Sequence, residues 1–130
     1  MADDTVELLI CTKCRQAGVE PEGDARPGAA LYAKVAETRI DGVAVTPVEC
    51  LQNCDDGCSV ALRGGPDRWT YIYGRFDLDQ GPDLIREGAK AYAATQDGLI
   101  PWRQRSDHFK KNCIARVPPL HAPVPKLGEL

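Results

Sequence analysis

Apolar residues run almost unbroken through Thr5–Ile10 (TVELLI) and end at Cys11, which predicts a buried first strand. A loop rich in Gly, Pro and charge follows, TKCRQAGVEPEGDARPG. From Gly28 to Arg39 the spacing of apolar residues is helical, with Leu31 and Val35 facing inward, and Gly42 closes that region. Val43–Val48 (VAVTPV) predicts a second strand, and Pro47 marks a sheet edge or the strand's end. Cys58–Leu62 and Trp69–Tyr73 predict a third and a fourth strand. The turn Arg63–Arg68 between them makes them an antiparallel hairpin. Trp69, Tyr71 and Tyr73 alternate and share one face, so they are expected to pack in the core. Pro82–Thr95 predicts a second helix, with Pro82 in its first turn and Leu84, Ile85, Ala89 and Tyr92 inward. Gly88 weakens that helix. There is no internal repeat.

This order gives an α/β (α+β) fold, a thioredoxin-like mixed sheet of about four strands with two main helices. The first two strands should be parallel neighbours joined by a right-handed crossover. Residues 1–97 form the domain expected to carry the chemistry. Residues 98–130 read as an irregular, Pro-rich tail packed on the domain or on a partner.

Composition narrows the function. At 130 residues the chain has room for one domain with a sizeable core. A net charge of -3 argues against nucleic acid or an anionic membrane as the main partner. The tail does interleave Arg103, Arg105, Lys110, Lys111 and Arg116 with Trp102 and Phe109, a pattern able to bind nucleic acid or an acidic partner, but the acidic overall charge and the lack of a reader motif favour a tail packed on the domain or used in a protein contact. No apolar run reaches the ~20 residues of a membrane span, and the acidic start lacks the marks of a secretory signal. The expected location is the cytoplasm, where a reducing milieu disfavours a disulfide framework.

The cysteines carry the chemical signal. Cys11 and Cys14 form C-x2-C, and Cys50, Cys54 and Cys58 form a second group. On the layout above, both groups follow the carboxyl ends of parallel neighbouring strands and meet at one end of the sheet. Thiolates that converge repel one another unless a cation lies between them. Four such cysteines can hold a [2Fe–2S] cluster, a [4Fe–4S] cluster or Zn2+. A thioredoxin-type redox pair at Cys11 and Cys14 is a further reading, but Pro21, Gly23 and Pro27 delay the helix whose dipole such a pair uses. Cys113 reads as a buried or idle thiol, and His108 and His121 as surface residues. The pair Asp55–Asp56 beside Cys54 would lower a cluster's potential or mark a docking edge. No phosphate-loop or nucleophile-elbow pattern occurs.

The pattern C-x2-C-x35-C-x3-C, followed by WTYIYG and a helix, resembles the thioredoxin-like [2Fe–2S] ferredoxins. It is also similar to the peripheral iron–sulfur subunit of respiratory NADH–quinone oxidoreductase. Over nearly the whole chain, ICTKCR, CLQNCDDGCSVAL, WTYIYG and DGLIPWRQR resemble a family of small bacterial proteins described only as metal-binding. The resemblance implies an electron carrier, not an enzyme, with one [2Fe–2S] cluster on Cys11, Cys14, Cys50 and Cys54. It implies a redox partner protein, permits a homodimer, and points loosely to cobalt or cobalamin metabolism. The ferredoxins space their first two cysteines more widely, which leaves Cys58 as an alternate to Cys14.

Overall fold

A computed structural model describes residues 5–13, 26–53, 56–120 and 122. The elements in chain order are β1 (Val6–Cys11), α1 (Pro27–Ala36), β2 (Val43–Val48), β3 (Val60–Arg63), β4 (Thr70–Tyr73), α2 (Gly81–Ala93), a 3-10 turn (Trp102–Gln104), α3 (Asp107–Lys111) and β5 (Cys113–Val117). They build one sheet in the order β2-β1-β3-β4-β5. β1 and β2 are parallel, and the remaining pairs are antiparallel.

β1 is the inner strand its apolar run implies. Val6, Leu8 and Ile10 have no exposed surface and join the main core. Leu9 is buried on the other face, opposite Ala61 of β3, outside that core cluster. Leu31 and Val35 of α1 and Ile85, Ala89 and Tyr92 of α2 share the cluster with Val6, Leu8 and Ile10. Both helices therefore cover the same face of the sheet.

Local devices fix the helices. Pro27 opens α1, where a missing N–H does no harm. The Nη2 of Arg86, on α2, donates to the carbonyls of Lys34 and Val35 and so closes the end of α1. Asp77 Oδ1 accepts N–H groups from Asp79, Gln80 and Gly81 at 3.1, 2.7 and 3.1 Å, leading the chain into α2. These bonds, that of Gln80 first, hold its carboxyl below the usual carboxylate range.

β2 is an outer strand, as Pro47 suggested. Val6 N–H bonds to Gly42 O and Thr12 N–H to Val48 O, so even-numbered residues of β2 turn their main-chain groups toward β1. Pro47, of opposite parity, puts its missing N–H on the outer edge.

Two expectations change. The described part of the tail is not wholly irregular: it supplies α3 and a fifth strand, and Ile100 and Phe109 enter the main core. Gly88 is also more than a weak point in α2. A Cβ built there would lie 2.0 Å from Cζ of Phe109, so the bare backbone is what admits that ring. Trp69 is half-buried, while Tyr71 and Tyr73 pack in the core as expected.

Candidate functional site

The directions of the strands bring the ends of β1, β2 and β4 together with the beginnings of β3 and β5 at one end of the sheet. Cys11 is the last residue of β1, and Cys50 follows β2 by two positions. Main-chain pairing does not stop at the strand ends. Thr12 N–H donates to Val48 O at 2.8 Å and Lys13 N–H to Glu49 O at 3.2 Å. The Thr12 hydroxyl adds a bond to Val48 O at 3.0 Å. The chain leaving β1 is thus zipped to the chain leaving β2 as far as the residue before Cys50. Cys11 Sγ reaches Glu49 O at 3.6 Å.

Cys50 is exposed, and its Sγ accepts the N–H of Gln52 at 3.2 Å. Gln52 adopts φ 59, a left-handed turn that shapes this bend. Cys14 and Cys54 lie outside the described residues, as do Asp55 and His121. The described neighbours of the Cys54–Asp55 pair are firmly placed. Asn53 Nδ2 donates to the buried Ser59 Oγ at 3.0 Å. Asp56 O accepts the N–H of Arg75 at 2.6 Å, and Asp56 Oδ1 pairs with Arg75 Nη1 at 2.7 Å. A Cβ at Gly74 would come within 2.5 Å of Asp56 O and 2.8 Å of Asn53 Nδ2, so only glycine allows the loop to settle this closely. Asp56 is therefore half of an ion pair, and its charge is offset by Arg75.

Cys58 is fully buried and belongs to the main core. It exchanges main-chain bonds with Phe76, N–H to O at 3.4 Å and O from N–H at 3.2 Å. Burial first, then Cys11 and Asp77 nearby, pushes its thiol up to about 11. Cys58, two positions ahead of β3, thus lies close to Cys11 at the end of β1 and is held as a neutral thiol in the core. Among the described residues no three His, Cys, Asp or Glu side chains converge as a metal-binding group. The described cysteines, Cys11, Cys50, Cys58 and Cys113, are all free thiols.

Two residues depart from expectation. Cys113 is exposed on β5, which removes the buried half of its reading as a buried or idle thiol. His108 is not a loose surface side chain. Its Nε2 bonds to Gly74 O at 2.8 Å, and its ring stacks on Phe76 with centroids 4.2 Å apart. Phe76, His108 and Gly74 thus form a floor beneath the second cysteine loop that the sequence reading did not pick out. Ser106 capping a short S-D-H-F helix, by accepting the Phe109 N–H, was the available signal.

A model of the family described as Protein of unknown function (DUF1636) matches residues 8–119. The chain belongs to this family. No match is found among curated proteins. Among solved structures, a thioredoxin-like [2Fe–2S] ferredoxin from Aquifex aeolicus is 17% identical, with a TM-score of 0.53 over 90% of this chain and 96% of that one. A 1.5 Å structure of the wild-type thioredoxin-like [2Fe–2S] ferredoxin from the same organism is 15% identical, with a TM-score of 0.49 over 85% and 96%. The first of these shows a shared fold, so this DUF1636 member is thioredoxin-like in architecture. Within that fold α1 does not begin until Pro27, well beyond the C-x2-C segment. No helix among the described residues is long and apolar enough to cross a membrane.

Proposed function

We propose that this protein holds one [2Fe–2S] cluster on Cys11, Cys14, Cys50 and Cys54 and carries single electrons to or from a redox partner in the cytoplasm. The observation that carries the reading is the pairing of Thr12 with Val48 and Lys13 with Glu49, which keeps the two cysteine-bearing loops side by side beyond the sheet. The described donors fit such a group. Cys50 sulfur already accepts a main-chain N–H, the interaction that tunes cluster potential, and its loop is anchored to Ser59 and Arg75. The ferredoxin of like fold bears a [2Fe–2S] cluster by its description, which adds to the same reading. The cluster supplies the redox chemistry, and the chain's part is to hold it, exclude water on the core side and leave Cys50 at the surface. Cys58, buried and with its thiol pushed up, suits the core better than the coordination shell.

Purification without oxygen, followed by visible absorption and assay of iron and acid-labile sulfide, tests this. The expected result is a coloured protein that bleaches on reduction, with about two irons and two sulfides per chain. Cys11→Ala and Cys50→Ala should each lose the cluster, and Cys58→Ala should keep it. A colourless protein with one zinc would overturn the electron-carrier reading in favour of a zinc-held binding module. A Cys58→Ala protein that loses its iron, beside a fully loaded Cys14→Ala, would replace Cys14 by Cys58.

A further inference from the structure

The charge of this chain is unevenly spread. Residues 1–97 hold ten Lys and Arg against seventeen Asp and Glu, whereas residues 98–130 hold six against two. Of the described basic residues of that second part, Arg116 lies on β5, Lys110 and Lys111 end the helix just before it, and Arg103 and Arg105 lie in and after the 3-10 turn. None of Arg103, Arg105, Lys110, Lys111 and Arg116 takes part in the ion pairs among the described residues, which are Glu7–Arg63, Asp56–Arg75 and Asp83–Arg86.

Aromatic rings hold three of these cations instead. Arg116 lies 4.6 Å from the centre of the Trp69 ring. Arg105 is 5.8 Å from Tyr71 and 5.5 Å from Trp102, and Lys110 is 5.4 Å from Trp102. Arg105 Nε also donates to Ile100 O at 2.8 Å. Contacts of this kind position a cation without neutralising it.

Among the described residues β5 is the last strand of the sheet, and all five of its residues are exposed. An outer strand offers main-chain N–H and C=O groups for pairing. Of the exposed large hydrophobic side chains among the described residues, Ile114 and Val117 lie on it, Leu120 follows it in sequence, and Trp102 carries the cations of Arg105 and Lys110.

We propose that β5 and its basic, aromatic flank seat an acidic, extended segment of a partner protein, which adds to the sheet as a sixth strand. The segment's main chain pairs along Cys113–Val117, its carboxylates meet the cations held over Trp69 and Trp102, and its apolar residues rest on Ile114 and Val117. Charge decides the occupant. A second copy would bring one basic edge against another. A nucleic acid would meet the acidic remainder of the chain and leave the strand's hydrogen-bonding groups unused. The inference goes beyond the electron-carrier reading and does not rest on it, because none of the ligand cysteines takes part.

The test uses the full chain and a fluorescein-labelled peptide of about ten residues alternating Glu and Val, long enough for one strand pairing. Controls are the same peptide with Lys for Glu and a labelled oligo-thymidine of similar length. The acidic peptide should raise the anisotropy, and added salt should weaken its binding. Arg116→Glu combined with Lys111→Glu should weaken it by about tenfold or more, and Ile114→Lys should weaken it with the charges intact. Both variants alter exposed residues, and circular dichroism confirms that they are folded. Hydrogen exchange at Cys113–Val117 should slow when the peptide binds, as strand pairing requires. No binding, equal binding of the lysine peptide, or binding without that protection would overturn the proposal. So would preferential binding of the oligonucleotide, or a dimer through β5 that shuts out the peptide. Iron content plays no part in these readouts, so this proposal and the cluster reading stand or fall separately.

Discussion

Replacing Gly88 by Ala sets two effects against each other. Alanine in a helix interior is worth about 1 kcal/mol more than glycine, so propensity alone predicts stabilisation. The structure predicts the reverse. The new Cβ would sit 2.0 Å from Cζ and 2.3 Å from Cε2 of Phe109. Those atoms are the far end of a side chain, but this side chain cannot swing away. Its ring stacks on Tyr73 at 4.2 Å, meets Phe76 edge-on at 6.0 Å, and is buried. Overpacking of this kind typically costs 1–3 kcal/mol, and expelling the ring altogether approaches the ~3–5 kcal/mol of a Phe→Ala change. Taking about 3 kcal/mol for the clash and subtracting the helix gain leaves a net loss of about 2 kcal/mol. Urea unfolding at equal metal content should show it as a midpoint lower by roughly 1 M. The sharper test is the cycle with Phe109→Ala. With the ring gone, Gly88→Ala should stabilise by about 1 kcal/mol, an inversion of sign. If Gly88→Ala stabilises the parent protein, or has the same sign in both backgrounds, α3 is not seated on α2 as described.

Asp77→Asn should lower stability by about 1 kcal/mol at neutral pH, as expected for loss of a charged cap. Because the carboxyl is held below its ordinary value, its contribution is complete above the unfolded pKa of about 3.9 and fades as pH falls through the lower folded value. Thermal melts down the acid range should therefore show the gap between variant and parent closing. Two of the core tyrosines should part company: Tyr92 donates to Trp69 O, whereas the buried Tyr71 hydroxyl has no hydrogen-bond partner among the described residues. Tyr92→Phe should destabilise by about 1 kcal/mol in urea unfolding, and Tyr71→Phe should be neutral or stabilising. Ending the chain after Asp97 removes Ile100 and Phe109 from the core and uncovers β4. Such a fragment should be insoluble or lack a cooperative melt, and a well-folded 1–97 would refute the role given to the tail.

What could be read in advance followed from how strongly burial marks the sequence. β2 is legible to the residue, and β1 nearly so, because β-branched and apolar runs ended by Cys or Gly leave little choice. Their parallel pairing then puts Cys11 and Cys50 at one end of the sheet by topology alone. β5 left no such trace: with all five residues exposed, it shows no contrast between two faces. α3 is a single turn or so that buries one side chain, Phe109. Gly74 and Gly88 look alike in sequence to any weak spot. Their meaning lies in which distant atoms approach them, Asp56 and Asn53 in one case and Phe109 in the other. The ties of Arg75 and His108 are illegible for the same reason, since their partners lie far off in sequence.

Pro47 has a consequence for assembly. Chains that polymerise through their sheets need two receptive margins, one to accept a neighbour and one to offer. With no N–H on its outer side at Pro47, β2 is the poorer acceptor, and among the described strands the margin at β5 is the more receptive. Strand addition is thereby biased to one side of the sheet, and Pro47 works against growth from both margins at once.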